Sequence, residues 1–363
     1  MPEIPLFATS HQPYFERLSQ RIADVVSSGR YVLGPEVEAF EKDFARYLGA
    51  QHCVGVGNGT DALTIAMRAL GIGQGDHVVL PSFTFFATAE AVINVGAVPV
   101  FCDIDPDSFC MTADTVHAAL TPATKAILAV DLFGNVAPMA ELERFGLPIV
   151  EDAAQAAGAS LGTSKAGTLG DVGAFSFFPS KNLFCLGDGG ALVTNDDRIA
   201  ESARMLRHHG SLDKQTHTLA GYNSRLDALQ AAVLRELLPE LDRWIAARRE
   251  VAASYDAFGI DRYLTPPKQV DGTYHGFHLY CARHKNADNV IAELGEQGIG
   301  ARGYYRKPIH KQPALQGYIA DSAPTLPNTD EVSRTNLALP MGPDLSQASV
   351  LAVVQALQGC AAI

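Results

Sequence analysis

Residues 78–102, VVLPSFTFFATAEAVINVGAVPVFC, are the most apolar stretch of the chain. Pro81, Glu90, Asn94, Gly96 and Pro99 interrupt it, so it does not read as a membrane span. It reads as strand, turn, helix, turn, strand, with HVVLP and VPVFCDI as the strands and FATAEAVINV as the helix. The same alternation extends in both directions. Upstream, CVGV is a strand and TDALTIAMRAL a helix. Downstream, TADTVHAAL is a helix, TKAILAVDL a strand, APMAELERF a helix and LPIVEDA a strand. A repeated strand–helix order defines an α/β domain with a mainly parallel sheet.

Two helices precede this core. Residues 11–28 carry Tyr14, Leu18, Ile22 and Val25 at helical spacing, and a second helix starts at Pro35 and stops at Gly49. After residue 158 the pattern changes. GAFSFF and GALVTN read as strands around a Gly-rich loop, Ile199–His209 as a helix, and 224–258 as one long helix. Trp244 and the alternating charges of 235–250 read as a helix surface or dimer contact. TPPK marks a hinge; YHGFHLYCAR follows as a strand, ADNVIAELGEQG as a helix, and two more helices close the chain. The expected division is 1–240, a large α/β domain with an N-terminal helical segment, and 241–363, a small C-terminal domain.

The chain has 363 residues, and at roughly 150 residues per domain two domains fit. It is 47% hydrophobic and 19% charged, the balance of a globular protein with a sizeable core. With 28 Lys and Arg against 40 Asp and Glu the net charge is −12. Such a surface repels phosphate backbones and argues against a nucleic-acid binder. The six cysteines form no CxxC pair and no zinc-spaced cluster, so no metal site is expected, and they read as buried free thiols. The N-terminus lacks the pattern of a signal peptide, which points to a cytoplasmic protein with no membrane partner.

Open α/β sheets bind ligands at the carboxyl ends of their strands, and three polar motifs fall there. Gly57-Asn58-Gly59-Thr60-Asp61 joins a strand to a helix. It suits a phosphate, through close backbone approach and free N–H groups, and equally an ordinary helix N-cap. Glu151-Asp152-Ala153-Ala154-Gln155 ends a strand. A buried carboxylate there would keep a heterocyclic nitrogen protonated, or one acid would cap the next helix. Phe175-Ser176-Phe177-Phe178-Pro179-Ser180-Lys181-Asn182 leads into Gly187-Asp188-Gly189-Gly190. Lys181 is either a solvated loop lysine or a half-buried amine whose depressed pKa makes it a nucleophile toward carbonyls. Phe85 either stacks on an aromatic ring or packs in the core. Together an anion cradle, a carboxylate and a Schiff-base amine are the parts a pyridoxal-phosphate (PLP) enzyme needs.

At this point the chain resembles the vitamin B6-dependent nucleotide-sugar aminotransferases of the DegT/StrS type. The matching stretches run nearly end to end: GRYVLGPEVEAFE, GNGTDALTIAMRALGIGQGD, PSFTFFAT, VPVFCDID, IVEDAAQAAGA, GAFSFFPSKNLFCLGDGGALVTN, GYNSRLDALQAAVL and KPIHKQPA. The block from Gly173 to Asn195 is the most specific of them. The resemblance implies the aspartate-aminotransferase fold (fold type I), a large α/β domain with a small C-terminal α+β domain. It implies PLP as cofactor and Lys181 as the lysine that carries it and shuttles the proton. Asp152 matches the acid paired with the pyridine nitrogen, and Gln155 the residue near the phenolic oxygen. Gly59, Thr60 and Ser176 match phosphate ligands, Phe85 the stacking aromatic, and Asn223 a residue that reaches the neighbouring subunit's phosphate. A site shared in that way implies a homodimer.

The family's chemistry implies transfer of an amino group, usually from glutamate, to a keto sugar on a nucleoside diphosphate. The wording GDGG at 187–190 and NSRLD at 223–227 points to a 3-keto sugar, with dTDP ahead of UDP. The alternatives are a 4-keto sugar, a cyclitol or aminobenzoate-type acceptor, a PLP-dependent dehydratase, and a non-catalytic regulator. The segments 208–217 and Tyr304-Tyr305-Arg306-Lys307 depart from the usual family phrases, and both are expected to face the sugar. Tyr31 and His310 match positions near the substrate in relatives, or are a half-buried aromatic and a capping histidine. Arg225 suits a phosphate, a donor carboxylate or a structural ion pair. Arg302, Arg306, Lys307 and Lys311 form a basic stretch that fits a diphosphate or a solvated loop.

Overall fold

The computed structural model describes residues 3–9, 12–319 and 324–361; His11, where the first expected helix begins, lies outside them. Twelve strands occur among the described residues: β1 (His52–Val56), β2 (His77–Pro81), β3 (Val98–Cys102), β4 (Thr124–Val130), β5 (Ile149–Asp152), β6 (Ser160–Leu161), β7 (Ser164–Lys165), β8 (Val172–Ser176), β9 (Gly190–Thr194), β10 (Thr273–Tyr274), β11 (Tyr280–Arg283) and β12 (Asn336–Leu339). Seven of them form the central sheet, in the order β1-β9-β8-β5-β4-β2-β3. Only β9 runs against its neighbours, pairing antiparallel with both β1 and β8. The expected mainly parallel α/β domain is this sheet.

The strands of the sheet are nearly continuous apolar runs because both faces are covered. Helix Gly59–Ala69 buries Leu63, Ile65, Ala66 and Met67, and helix Phe86–Asn94 buries Ala87, Ala89, Ala91 and Val92. On another side, Phe40 and Phe44 of helix Pro35–Leu48 pack edge-on against Phe177, and Phe44 also against Phe175. A separate core joins Tyr255 and Ile260 to Tyr280, Leu294, Leu337, Val353 and Leu357. Ile4 belongs to that core as well, because the N-terminal segment crosses over to pair Ile4 with Ile299 and Phe7 with Met341.

Three expectations for the second half need correction. The single helix over 224–258 is two helices, Ala228–Leu237 and Leu241–Ala257, joined by a 3₁₀ turn at Leu238–Glu240. Pro239 has no N–H to donate and breaks the ladder. Ser224 is drawn out of the helix, its N–H donating to Arg207 O (3.0 Å) and its hydroxyl to Asp61 Oδ2 (2.5 Å). Trp244 is not on a surface: it is buried against Phe184, and its Nε1 donates to the Tyr14 hydroxyl (3.1 Å). Finally, YHGFHLYCAR is not one strand. Gly276 N donates to Gly134 O (2.7 Å) and Leu279 N to Phe133 O (3.3 Å), so these residues dock on a loop of the large sheet. Tyr274 at its start pairs with Ser160 in the short β10–β6 ladder, and 280–283 pair with β12, an element that the sequence pattern left unassigned.

All six cysteines are buried free thiols. Among the described residues no helix is long and apolar enough to cross a membrane.

Candidate active site

A cavity of about 370 Å³ opens at the carboxyl ends of the parallel strands. Gly59, Thr60, Phe85, Asp152, Gln155, Ser176 and Lys181 all line it. The fold thus brings together seven residues that the sequence distributes over four separate loops.

The first wall is the start of helix Gly59–Ala69. Asn58 is its N-cap, and its side chain accepts from Asp61 N (2.8 Å). No hydrogen bond among the described residues takes the N–H of Gly59 or Thr60, so both are available to an anion. A Cβ on Gly59 would stand 2.8 Å from Ser176 Cβ, and one on Gly190 would stand 2.4 Å from the Asn58 carbonyl carbon. Glycine at both places is what lets the helix start approach Ser176 this closely.

The second wall is the end of β5, where alternation separates the two acids. Asp152 faces the cavity. Its Oδ2 accepts from Thr88 Oγ1 (2.9 Å) and its Oδ1 from Ala154 N (3.2 Å). Burial raises its pKa, and these two donors and the Lys181 charge work against that rise. Glu151 faces away, into a pocket where it accepts from the N–H groups of Gly167 (2.6 Å), Leu169 (2.8 Å) and Gly170 (3.1 Å). Its buried neighbour Asp131 is held well above the usual carboxylate range, by burial first and then by the Glu151 charge. Burial raises Glu151 as well, but its three backbone N–H donors favour its ionised form, so of the two it is Asp131 that the setting pushes toward the neutral acid.

Lys181 follows a tight turn in which its N–H donates to Phe178 O (2.8 Å). It is half-buried, and burial pushes its amine down to about 8, with Asp152 opposing the shift. Asn182, next in the chain, is buried and donates Nδ2 to Gly276 O (2.9 Å), which fixes the loop from below. Gln155 spans two partners, Oε1 accepting from Phe133 N (2.9 Å) and Nε2 donating to the Tyr305 hydroxyl (3.0 Å). Phe85 is 57% exposed, so it is not core packing; its ring lies 6.0 Å from that of Tyr305.

Four expected residues stand apart from the cavity lining. Asn223 is exposed. Tyr31 is also exposed, its hydroxyl donating to Val26 O (3.2 Å), and Arg225 Nη1 lies 3.4 Å from His209 Nε2. His310 is buried, with Nδ1 2.5 Å from Ser82 Oγ and Nε2 without a partner among the described residues. Of the basic stretch, Arg306 is spent on the carbonyls of Ser333 (3.1 Å) and Asn336 (2.7 Å) and on Asp288 (2.6 Å). Tyr304 and Tyr305 do line the cavity, so one of the two segments flagged as atypical faces the site. Sequence reasoning missed Phe7, Thr88 and His278, which line it too. Thr88 had a signal, a hydroxyl one turn after Phe85. The other two had none, since the crossing of the N-terminal segment and the docking of 276–279 are long-range events.

The residues present fit pyridoxal phosphate. A cradle of free N–H groups closed by glycines suits its phosphate, the Asp152 carboxylate suits a protonated ring nitrogen, and the Lys181 amine suits its carbonyl.

The sheet order is that of the fold type I class, the fold of the PLP-dependent transferases. The family is equally plain: residues 15–358 match the model of the DegT/DnrJ/EryC1/StrS aminotransferase family, and the chain belongs to it. It is 44% identical over 346 residues to the dTDP-3-amino-3,4,6-trideoxy-alpha-D-glucose transaminase of Streptomyces venezuelae, covering 93% of this chain and 90% of that one. It is 43% identical over 365 residues to a pleiotropic regulatory protein of Geobacillus stearothermophilus, covering 97% of both chains. The X-ray structure of S. venezuelae DesV in complex with a ketimine intermediate superimposes with a TM-score of 0.95 at 41% identity, covering 99% of this chain and 98% of that one.

Proposed function

We propose that the protein is a PLP-dependent aminotransferase that moves an amino group from an amino acid, L-glutamate, to a 3-keto sugar carried on a nucleoside diphosphate, dTDP ahead of UDP. The observation that carries this reading is the convergence of Lys181, Asp152 and the Gly59–Ser176 cradle on one cavity. A regulator would have no use for a half-buried amine held near neutrality opposite a buried carboxylate.

Lys181 would hold the cofactor's carbonyl carbon, Asp152 its ring nitrogen, Gln155 its phenolic oxygen, and Gly59, Thr60 and Ser176 its phosphate, with Phe85 against the ring face. What the cofactor supplies when bound is an electron sink for breaking a carbon–hydrogen bond next to an amine. Everything else falls to the chain. The Lys181 amine, pushed down to about 8, is neutral in an appreciable fraction of molecules near neutral pH and takes up and returns that proton. Asp152 would meet the ring nitrogen as a carboxylate, the form that the Thr88 hydroxyl and the Ala154 N–H favour. The aromatic wall of Phe85, Tyr304 and Tyr305 excludes water from the mouth.

The division we propose places the large domain at 1–240 and the small one at 241–363. Asn223 is not in the lining of its own cavity and would serve the phosphate of a second copy, which would make the enzyme a homodimer. The S. venezuelae and Pseudomonas aeruginosa relatives are named for 3-amino and 3-oxo nucleotide sugars, which supports position 3.

The test is a half-reaction panel. Holoenzyme is mixed with dTDP- and UDP-linked 3-amino and 4-amino sugars one at a time, and bleaching of its yellow absorbance is followed. Bleaching by a 3-amino sugar alone is expected. Bleaching only by a 4-amino sugar overturns the position. Bleaching by glutamate but by no sugar moves the acceptor to a cyclitol or aminobenzoate type. Protein that takes up no cofactor overturns the reading.

A further inference from the structure

The segment Gly276–Leu279, docked beneath the Lys181 loop, sets His278 into the wall of the cavity. The residue is 4% exposed. Its Nδ1 is buried with no hydrogen-bond partner among the described residues, so the ring can act only through Nε2. Its placement is heavily supported. The guanidinium of Arg248, itself 2% exposed, donates Nη1 to the carbonyls of Phe277 (3.1 Å) and His278 (3.5 Å). Asn182 holds Gly276 O, and the ring of Phe7 stacks at 6.1 Å with planes 29° apart. A buried arginine used as a clamp on two backbone carbonyls is an expensive way to hold an inert ring.

Burial first, and then the two cations that act on it, Lys181 and Arg248, hold the His278 imidazole well below its ordinary range. It stays neutral, so it does not repel Lys181 as a second ammonium would. The tautomer with its proton on Nδ1 leaves a lone pair on Nε2. One unpaired N–H is the kind of compromise that native proteins keep at functional positions.

We propose that His278 is a positioning residue for Lys181, its Nε2 accepting a hydrogen bond from the ε-amine whenever that amine is free. The amine is thereby kept aimed into the cavity between the steps in which it takes and returns a proton. The assignment rests on the reading of Lys181 as the cofactor lysine.

The experiment is done on cofactor-free protein, so the two readings fail separately. Lys181 is acetylated with a trace of acetic anhydride over a range of pH, and the modified peptide is quantified to give its proton affinity. His278→Phe keeps the packing on Phe7 and removes the acceptor. Lys181 should then bind its proton about tenfold more weakly, the order of one charge-assisted hydrogen bond. His278→Gln, whose Oε1 falls near the place of Nε2, should restore wild-type behaviour to within about threefold. A His278→Phe protein in which Lys181 titrates as in wild type overturns the proposal, and so does a His278→Gln protein no better than His278→Phe. Failure of the cofactor reading shows elsewhere, as wild-type protein that does not turn yellow with pyridoxal phosphate.

Discussion

Thr88 Oγ1 donates to Asp152 Oδ2 across 2.9 Å, joining the first turn of the helix after β2 to the end of β5. Thr88 is itself 3.1 Å from Thr84 Oγ1, so the donor is held in a short chain of hydroxyls. Asp152 is buried, and burial alone favours its neutral form. The Thr88 hydroxyl is one of the few groups that favour the carboxylate.

Thr88→Val keeps the shape and removes that donor. A hydrogen bond to a charged group contributes about 1.5–3 kcal/mol, so cofactor affinity should fall at least about tenfold. The sign of the pH effect follows. The ionised carboxylate is the form that pairs with a protonated ring nitrogen, and losing Thr88 raises the pKa of Asp152 further. The acid limb of cofactor binding therefore moves to higher pH. Absorbance titrations with pyridoxal phosphate over a pH series measure both effects, and Thr88→Ser should behave as wild type.

Lys181→Met should abolish the yellow colour of the holoenzyme and all amino transfer while leaving the circular dichroism unchanged. It should also stabilise cofactor-free protein. The folded-state pKa of Lys181, about 8, lies below the unfolded value of about 10.4, so burying this amine carries a penalty wherever it is charged. That penalty is absent above the unfolded pKa, grows as pH falls between the two values and is complete below about 8. Lys181 is partly exposed to the cavity, so the gain expected near pH 7 is about 1–3 kcal/mol. It should shrink toward zero by about pH 11. Urea unfolding of both proteins across that range checks the sign.

Gly59→Ala tests the cradle. The added Cβ would stand 2.8 Å from Ser176 Cβ, closer than real contacts allow, so the helix start and β8 must separate. Overpacking of this kind costs about 1–3 kcal/mol of stability. The larger loss should fall on phosphate, because the free N–H groups move. Inorganic phosphate should compete with cofactor binding less well in the variant than in the wild type, and pyridoxal without its phosphate should bind both equally.

The order of strands and helices through residue 158 was legible because each element announces its own ends. Pro35 opens one helix and Gly49 closes it; HVVLP and VPVFC are short apolar runs between polar turns. What local pattern cannot carry is pairing. Nothing near Gly190 says that β9 will enter the sheet antiparallel between β1 and β8. The pattern also failed where a segment trades regular structure for contacts far away in the chain. His275–Leu279 alternates like a strand, but the amides of Gly276 and Leu279 are claimed by the loop at Phe133–Gly134, and that of Phe277 by His275 Nδ1. For the same reason the cavity's motif residues were visible and His278 was not. Asp152 and Lys181 stand out as polar residues among small and aromatic ones, whereas His278 acquires its setting only from Arg248, Asn182 and Phe7.

The shared site can be tested without any knowledge of the substrate. Asn223 is exposed and absent from its own cavity, so Asn223→Glu should fold normally. If it reaches a second copy's phosphate cradle, the new carboxylate repels the cofactor there and the variant is inactive. Lys181→Ala is inactive for a different reason. In a hybrid of the two chains, one site collects both lesions and the other collects none, because its lysine and its Asn223 both come from the unaltered positions. Unfolding and refolding an equal mixture makes about half of the dimers hybrid, so about a quarter of wild-type activity should return. If Asn223 served its own chain's cavity, every site in the mixture would carry a lesion and no activity would return. The recovered fraction therefore decides whether the catalytic unit is the chain or the pair.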